Sequence, residues 1–168
     1  MNESTVSRTN IESPVGRLLV GASDKGIVGL YYEGVHRRQP EATKMWTEGD
    51  SRFFREVREQ LAAYFAGQRQ SFNLELDMSG SPFYRTVWSE LQIIPYGETI
   101  SYAELAARAG SPKAVRAVGM ANARNPVSII VPCHRVVATN GKLTGYAGGV
   151  DTKRRLLELE GAMDGMLI

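Results

Sequence analysis

The sequence predicts an α+β protein, with a β-rich N-terminal domain over residues 1–80 and a mainly helical C-terminal domain over residues 81–168. Two patterns lead to this prediction. Short apolar runs separated by turn residues dominate residues 9–34, whereas apolar residues spaced three and four apart dominate after residue 81. The polar segment 77–82 separates the two patterns, and we therefore place the domain boundary within it.

The N-terminal part begins with a predicted β-hairpin. The runs 17–22 and 27–32 are apolar, and the polar residues 23–26 between them end in glycine, which is typical of a hairpin turn. Residues 36–50 show no period, so we expect a mobile loop there, with His36 as an exposed residue rather than a metal ligand.

A helix is expected after this loop. Apolar residues at 53, 54, 57, 61, 64 and 65 follow helical spacing, and Gly67 provides a stop. The segment Phe72–Leu76 alternates between apolar and polar residues, which predicts a further strand.

The C-terminal part predicts a helix-turn-helix. Ser81 and Pro82 form an N-cap and first-turn proline for one helix, and Ser101 with Glu104 matches a capping box for a short helix that ends at Gly110. A second helix is expected over residues 113–124, directly after this turn, and would face DNA in such a motif.

The chain carries a single cysteine, Cys133, and it lies beside His134, one of only two histidines. A neighbouring imidazole and guanidinium lower a thiol pKa and so favour the reactive thiolate, although a buried structural cysteine is an equally open interpretation. Pro132 breaks the preceding β-branched run, which predicts that Cys133 lies at the end of a strand and faces a cleft.

Charge is distributed unevenly although the formal net charge is only +2. No Asp or Glu occurs from Leu105 to Val150. This segment predicts a positive face, which is either a plain solvated surface or a set of phosphate contacts. Its basic residues are Arg108, Lys113, Arg116, Arg124, Arg135 and Lys142.

Composition also excludes several classes of protein. One cysteine cannot form an internal disulfide, and two histidines with one cysteine cannot build a His/Cys zinc cluster, so we expect no metal and no cofactor. The N-terminus is polar and no apolar run approaches the length of a membrane span, so we expect a soluble cytoplasmic protein that does not bind membranes.

The motif Pro132-Cys133-His134-Arg135-Val136, with 125–127 before it and the Gly-rich 145–149 after it, resembles the active-site signature of the O6-alkylguanine-DNA alkyltransferases. The specific match covers residues 81–161, whereas the first eighty residues resemble the family only in layout. The resemblance implies a protein that binds double-stranded DNA containing O6-alkylguanine, with O4-alkylthymine as a further substrate. It would flip the base out and transfer the alkyl group to its own Cys133 in a single turnover. We expect a monomer and leave cooperative binding on DNA open.

The resemblance also implies catalytic roles. Cys133 would be the nucleophile, His134 would act as its base through a water molecule, and Glu160 would orient His134. Asn125 would hold together the turns around the site. Glu160 lies in the last turn of a helix predicted to begin with Asp151 as N-cap, where the macrodipole disfavours a carboxylate. This placement suggests function, and an ordinary solvent-facing glutamate is the alternative.

Substrate contacts follow from the same resemblance. Tyr102 would press on the target phosphate and donate a proton to the departing guanine. The amide of Ala147 and the carbonyls of Cys133 and Val136 would contact the base edge, with Tyr146 beside them. Ala147 replaces a serine found in some relatives, which removes a hydroxyl contact but keeps the backbone amide.

DNA contacts are expected mainly from the helix over residues 113–124. Arg116 would fill the gap left by the flipped base, because its guanidinium stacks on bases and is always charged. Small residues allow close approach with little reading of base edges, so we expect weak sequence preference. Phosphate contacts are expected from Lys113, Arg124 and Arg135, and close approach from Ala114, Ala117 and Gly119, whereas Met120 stands where relatives often have a smaller residue.

Two other classes of function are also considered. A DNA-binding module without chemistry would explain the helix-turn-helix and the basic segment, but not the Pro-Cys-His-Arg motif. A cysteine hydrolase would use Cys133, His134 and Glu160, but would not need the DNA-facing helix.

Overall fold

The computed structural model describes residues 5–163 and has the predicted α+β architecture. The N-terminal part contains a four-stranded sheet in the order β3-β2-β1-β4. Strands β1 (Ser7–Ile11), β2 (Leu18–Ala22) and β3 (Ile27–Tyr32) pair antiparallel, and the short strand β4 (Thr47–Glu48) pairs parallel to β1. The predicted hairpin is confirmed, and its turn is closed by a bond from Ser23 N to Gly26 O at 2.9 Å.

The segment 33–50 contains more regular structure than we expected. A 3₁₀ helix, Glu41–Met45, precedes β4. His36 is half-buried rather than exposed: its Nδ1 accepts a bond from Tyr32 N at 3.1 Å, and its ring stacks on Tyr32. Burial lowers the pKa of His36 to about 4, so the residue is a neutral packing element.

Helix α1 (Phe54–Phe65) follows the predicted periodicity. It buries Phe54, Val57, Leu61 and Tyr64, and the chain leaves the helix at Gly67 with φ +75°. The predicted strand Phe72–Leu76 is wrong. In the described residues this segment forms one isolated bridge, from Leu76 to Ile27, so it is extended chain along the sheet edge without a ladder of its own.

The C-terminal part contains α2 (Pro82–Ile93), α3 (Tyr102–Arg108), α4 (Val115–Ala123) and α5 (Val150–Leu159). The two predicted serine caps are confirmed. Ser81 Oγ accepts from Tyr84 N at 3.2 Å, and Ser101 Oγ accepts from Glu104 N at 3.0 Å. The capping box is only half formed, because the carboxylate of Glu104 binds Arg108 at 2.8 Å instead.

Two helix starts differ from the prediction. α4 begins at Val115 rather than residue 113, because residues 111–114 form a turn in which Ala114 N donates to Ser111 O at 2.9 Å. α5 begins at Val150 after Gly149, whose φ of +94° suits glycine, and Asp151 lies inside the first turn. Asp151 is therefore not the N-cap.

The run before Cys133 is a turn, which corrects the predicted strand. Residues 128–130 turn tightly, and Ile129 has φ +72°, an unfavourable value for a β-branched residue. Cys133–Arg135 then forms a 3₁₀ helix, after which β6 (Val136–Val137) pairs parallel to β5 (Ile100–Ser101).

One hydrophobic core joins the N-terminal sheet and α1 to the C-terminal helices. The junction includes main-chain bonds from Leu30 N to Pro126 O at 2.8 Å and from Ser128 N to Leu30 O at 3.2 Å. Strand β3 therefore supports the turn that leads to Cys133. No helix within residues 5–163 is long and apolar enough to cross a membrane.

Candidate active site

Cys133 lines a cavity of about 580 Å³, which we call the Cys133 cavity. The cysteine is buried, with 5% of its surface exposed. A larger, more open groove of about 1750 Å³ borders this cavity at Arg37 and Arg38, but Cys133 does not line it. The sulfur is thus enclosed and yet adjoins a space, as a nucleophile requires and a purely structural cysteine does not. The other residues that line the cavity are Arg37, Arg38, Tyr102, Gly119, Asn122, Ala123, Asn125, Ser128, Thr144, Gly145, Tyr146 and Ala147.

The protonation of Cys133 depends on opposing effects. Burial raises the pKa of the thiol, while the side chain of Asn125 and the positive charge of Lys153 lower it. Burial is the largest effect, so the free protein holds a thiol that needs a base before it can react.

Lys153 is a site residue that the sequence interpretation missed. Its side chain is fully buried in α5, and Nζ donates to Val136 O at 2.7 Å and Thr144 O at 3.2 Å. Burial lowers the pKa of Lys153 to about 8, and a negative charge on Cys133 would act in the opposite direction. Periodicity carries a signal for it, because Lys153 lies three and four residues before Leu156 and Leu157 on the buried face.

His134 and Glu160 form a buried pair. His134 Nε2 lies 2.8 Å from Glu160 Oε2, and both side chains have no exposed surface. Burial lowers the pKa of His134, against the opposing influence of Glu160, so the imidazole is neutral and donates its Nε2 proton to the carboxylate. This tautomer leaves Nδ1 unprotonated, and Nδ1 has no hydrogen-bond partner in residues 5–163.

The Glu160 carboxylate accepts three further hydrogen bonds. Arg135 Nε binds Oε1 at 2.8 Å, Arg135 Nη2 binds Oε2 at 3.0 Å, and the Tyr64 hydroxyl donates to Oε2 at 2.6 Å. Burial alone raises the pKa of Glu160, but bonds from His134, Arg135 and Tyr64 outweigh it and lower the pKa to about 2. The solvent-facing alternative for Glu160 is therefore wrong.

Arg135 does not reach a DNA surface, which corrects its predicted phosphate contact. Its surface is 6% exposed, and Nη1 donates to Ile94 O at 2.7 Å in addition to the bonds to Glu160. A guanidinium held inside in this way serves the Glu160 pair rather than a phosphate.

Asn125 holds the turn before the cysteine. Its Nδ2 donates to Val131 O at 2.7 Å, and its Oδ1 accepts from Val127 N at 3.0 Å. The turn between these contacts contains Ile129 with its unfavourable φ. The position of Asn125 is the one predicted for a residue that holds the turns together.

The predicted substrate-binding residues divide into two groups. Tyr102, Tyr146 and Ala147 line the Cys133 cavity, and the Tyr146 hydroxyl lies 2.6 Å from the hydroxyl of Tyr32. Val136 is fully buried and is absent from the described cavity lining, and its carbonyl already accepts from Lys153.

The predicted DNA-facing residues of α4 and its preceding turn lie mainly on the surface. Lys113, Arg116, Ala117 and Arg124 are exposed, Ala114 and Gly119 are half-buried, and Gly119 also lines the Cys133 cavity. Met120 is 36% exposed on the same helix. The structure therefore places a positive helix surface next to the cavity that contains the sulfur.

Comparisons with known proteins agree with this arrangement. Residues 6–78 match the model of the 6-O-methylguanine DNA methyltransferase ribonuclease-like domain, and residues 82–162 match the DNA-binding domain of the same family. A methylated-DNA–protein-cysteine methyltransferase of Methanosarcina acetivorans is 49% identical over 152 residues, which cover 90% of this chain and 96% of the relative. The Mycolicibacterium paratuberculosis protein of that name is 49% identical over 89% of each chain.

Solved structures show the same similarity. The crystal structure of the Mycobacterium tuberculosis O6-methylguanine methyltransferase is similar with a TM-score of 0.85 and 45% identity over 94% of each chain. The M. tuberculosis OGT in complex with DNA is similar with a TM-score of 0.84 and 45% identity over 93% of each chain. The chain therefore belongs to the methylated-DNA–protein-cysteine methyltransferase family, a family of DNA-repair methyltransferases.

Proposed function

We propose that this protein removes the alkyl group from O6-alkylguanine in double-stranded DNA and transfers it to Cys133. The observation that carries the proposal is the enclosed sulfur beside a cavity of about 580 Å³, next in the chain to a neutral histidine paired with a buried glutamate. In the reaction a bond forms between Cys133 Sγ and the alkyl carbon, and the bond between that carbon and guanine O6 breaks.

His134 is the proposed base. Because the Nε2–H group of His134 donates to Glu160, Nδ1 is the unprotonated nitrogen, and it takes the thiol proton through a water molecule. Lys153 contributes a positive charge that favours the resulting thiolate, which offsets part of the effect of burial on the thiol pKa.

Tyr102 is the proposed acid. The departing guanine carries a negative charge, and the Tyr102 hydroxyl in the cavity wall donates a proton to it. The amide of Ala147 and the carbonyls of Cys133 and Val136 are the proposed backbone contacts to the base, with the second lone pair of the Val136 oxygen available beside Lys153.

The target nucleotide must leave the duplex to reach the enclosed sulfur. Flipping costs a few kcal/mol of stacking and pairing, which a protein group has to offset. Arg116 is the proposed residue that fills the gap, because it is exposed on α4 and a guanidinium both stacks and carries charge. Phosphate contacts come from Lys113 and Arg124, and the small residues Ala114, Ala117 and Gly119 allow close approach.

The reaction is proposed to consume the protein. A thioether on Cys133 is a stable carbon–sulfur bond, and none of the proposed site residues provides chemistry that would cleave it. Each chain therefore accepts one alkyl group, from O6-alkylguanine and also from O4-alkylthymine. We further propose that the protein acts as a monomer in the cytoplasm. Titration of unmodified duplex DNA with the protein would measure whether it assembles cooperatively.

Mass measurement tests the central proposal. Protein incubated with a duplex that carries one labelled O6-methylguanine should gain the mass of one methyl group per chain, located on the peptide that contains Cys133. Cys133→Ser should gain none. Transfer of several methyl groups per chain, or transfer by Cys133→Ser, would contradict the proposal.

A second experiment tests base flipping. Arg116→Ala should lose most repair of duplex DNA but react almost normally with free O6-benzylguanine, which requires no flipping. Arg55, exposed on α1, provides a matched control as Arg55→Ala, which should keep both activities. Equal losses of Arg116→Ala on both substrates would show that Arg116 acts in folding or in the cavity.

A further inference from the structure

Two arginines of the N-terminal part, Arg37 and Arg38, line the Cys133 cavity, and the proposed chemistry uses neither of them. Both are exposed, and neither forms an ion pair among the described residues. They also line the larger groove, so they mark the border between the two spaces, which we call the mouth of the cavity. The matched DNA-binding domain covers residues 82–162 and therefore gives these two cations no role.

The main chain holds this pair of arginines against the cavity wall. Arg37 N donates to Ala147 O at 3.2 Å. His36 N and Val35 N both donate to Tyr32 O, at 3.0 and 3.3 Å, and the His36 ring stacks on that of Tyr32. The turn is thus fixed to β3 on one side and to the Gly-rich loop on the other. Because its backbone is already in place, a contact made by the two guanidinium groups costs less ordering entropy.

The charges around the mouth favour an anionic ligand. The described lining of the Cys133 cavity contains no Asp or Glu. The described lining of the groove contains one, Asp77, whose Oδ2 already accepts from Ser23 Oγ at 2.6 Å. Arg124, at the end of α4, lines the groove as well. Three arginines against one hydrogen-bonded carboxylate make the potential positive here, and planar guanidinium groups match the oxygen atoms of a phosphate.

A flipped nucleotide would bring phosphates to this position. It remains joined to its neighbours through its 5′ and 3′ phosphates, so these phosphates lie at the mouth when the base lies inside the cavity. In a stacked duplex the same phosphates follow the DNA helix and stay away from the mouth. A cation at the mouth therefore binds the flipped state better than the stacked state, and this difference shifts the equilibrium toward flipping.

We propose that Arg37 and Arg38 form a phosphate-binding site, which holds the two phosphates that flank the flipped nucleotide at the mouth of the Cys133 cavity. This inference rests on the proposed function, because it requires an extrahelical target. It adds the N-terminal part to a DNA interface that otherwise consists of α4 and the turn before it. Arg116 fills the gap in the duplex, whereas Arg37 and Arg38 hold the nucleotide that has left it.

The salt dependence of DNA binding tests this site, in a Cys133→Ser background that prevents the reaction. Two phosphate contacts made only in the flipped state should steepen the slope of log binding constant against log salt concentration by about 1.8 units on a duplex with one O6-methylguanine, relative to the same duplex with guanine. Arg37→Gln/Arg38→Gln should remove this difference. The control Arg55→Gln/Arg58→Gln removes two exposed cations of α1 that line neither space, and it should keep the difference.

Neutral methylphosphonates in place of the two flanking phosphates provide a second measurement. They should weaken binding of the damaged duplex at least about threefold more for the protein with both arginines than for Arg37→Gln/Arg38→Gln, because the variant has already lost the partner charges. Methylphosphonates at the end of the same strand should affect both proteins equally. An equal effect of the flanking methylphosphonates on both proteins would overturn the inference.

The outcomes separate this inference from the proposed function. If wild-type protein transfers no methyl group from O6-methylguanine to Cys133, the proposed function fails. If it transfers the group but Arg37→Gln/Arg38→Gln keeps the steeper slope, only the phosphate-binding site is overturned. An equal loss in Arg55→Gln/Arg58→Gln would also overturn it, since net charge alone would then explain the effect. The slope does not depend on the fraction of active protein, so a poorly folding variant still gives a result.

Discussion

Replacing Glu160 by glutamine should destabilise the protein strongly, because four short bonds converge on one buried carboxylate. His134, Arg135 and Tyr64 all donate to it at 2.6–3.0 Å. Glutamine has nearly the same shape, but it carries no negative charge and replaces one acceptor oxygen by a donor group. At least one of the three partners then faces a donor, and Arg135 becomes a buried cation without a counter-ion.

The expected loss can be estimated from these contacts. Arg135 is 6% exposed and both side chains of the His134–Glu160 pair have no exposed surface, so solvent screens them little. Removing one partner of a buried ion pair typically costs about 3–5 kcal/mol. Since domains have a total stability of about 5–15 kcal/mol, this loss is a large share of the free energy of unfolding.

Urea denaturation at pH 7 measures this loss, with Glu158→Gln as the matched control. Glu158 lies in the last turn of α5 and is half-buried, and its side chain makes no hydrogen bond or ion pair among the described residues. We expect about 3–5 kcal/mol for Glu160→Gln and less than about 0.5 kcal/mol for the control. A loss below about 1 kcal/mol for Glu160→Gln would refute the reasoning, since the network would then contribute little to stability.

Three further predictions concern charge. Lys153→Met should slow alkyl transfer to Cys133 at neutral pH and shift the pH–rate profile to higher pH, because a nearby cation that lowers the thiol pKa is lost. An unchanged profile would exclude this role of Lys153. With three exposed cations on or beside α4, a plot of the logarithm of the DNA-binding constant against the logarithm of salt concentration should have a slope of roughly −2.7. Arg124→Ala should make this slope shallower by about one unit on every DNA sequence. Strong discrimination among unmodified sequences would contradict phosphate-dominated binding. Acid should destabilise the protein, because the pKa values of His134 and Glu160 are lowered on folding. The stability from His134 should be fully present above about pH 6.5 and decline below it, and the stability from Glu160 should be lost from about pH 4.5 toward 2. Thermal melts that do not change between pH 7 and 3 would contradict this prediction.

Local signals in the sequence predicted most of the regular elements. Serine N-caps, periodic apolar residues and a hairpin turn act over a few residues, so their effects are visible without the fold. The errors occurred where distant contacts decide the conformation. Phe72–Leu76 alternates like a strand, but its main chain bonds the edge of β3 near Leu76 and the side chain of Gln60 at Asn73. The apolar run before Cys133 turns because Asn125 binds across it.

The buried charges were the hardest part of the site to predict. Charged residues are normally exposed, so the residue type alone argues against placing Lys153 or Arg135 inside. Lys153, Leu156 and Leu157 share one face of α5, and Glu160, directly after the helix, continues the same spacing, so this periodicity was the available signal. Two charges on an otherwise apolar helix face therefore indicate partners elsewhere in the fold.

The acid-free segment from Leu105 to Val150 shows how such partners change an argument from charge. Within the segment no basic residue has an acidic partner, yet Arg135 forms an ion pair with Glu160, which lies beyond the segment. The cations that remain exposed on or beside α4 are Lys113, Arg116 and Arg124. The positive surface is thus smaller than the sequence suggests, and three of its cations lie on or directly beside α4, next to the Cys133 cavity, where phosphate attraction would bring the target base to the sulfur.

The N-terminal part contributes to the site through contacts that no local pattern contains. The Tyr64 hydroxyl from α1 binds Glu160 at 2.6 Å, and the Tyr32 hydroxyl from β3 lies 2.6 Å from that of Tyr146 in the cavity wall. Each contact joins residues about a hundred positions apart in the chain, and each fixes a side chain of the C-terminal part. The sheet and α1 therefore do more than support the fold, because they set the position of the carboxylate that determines the tautomer of His134.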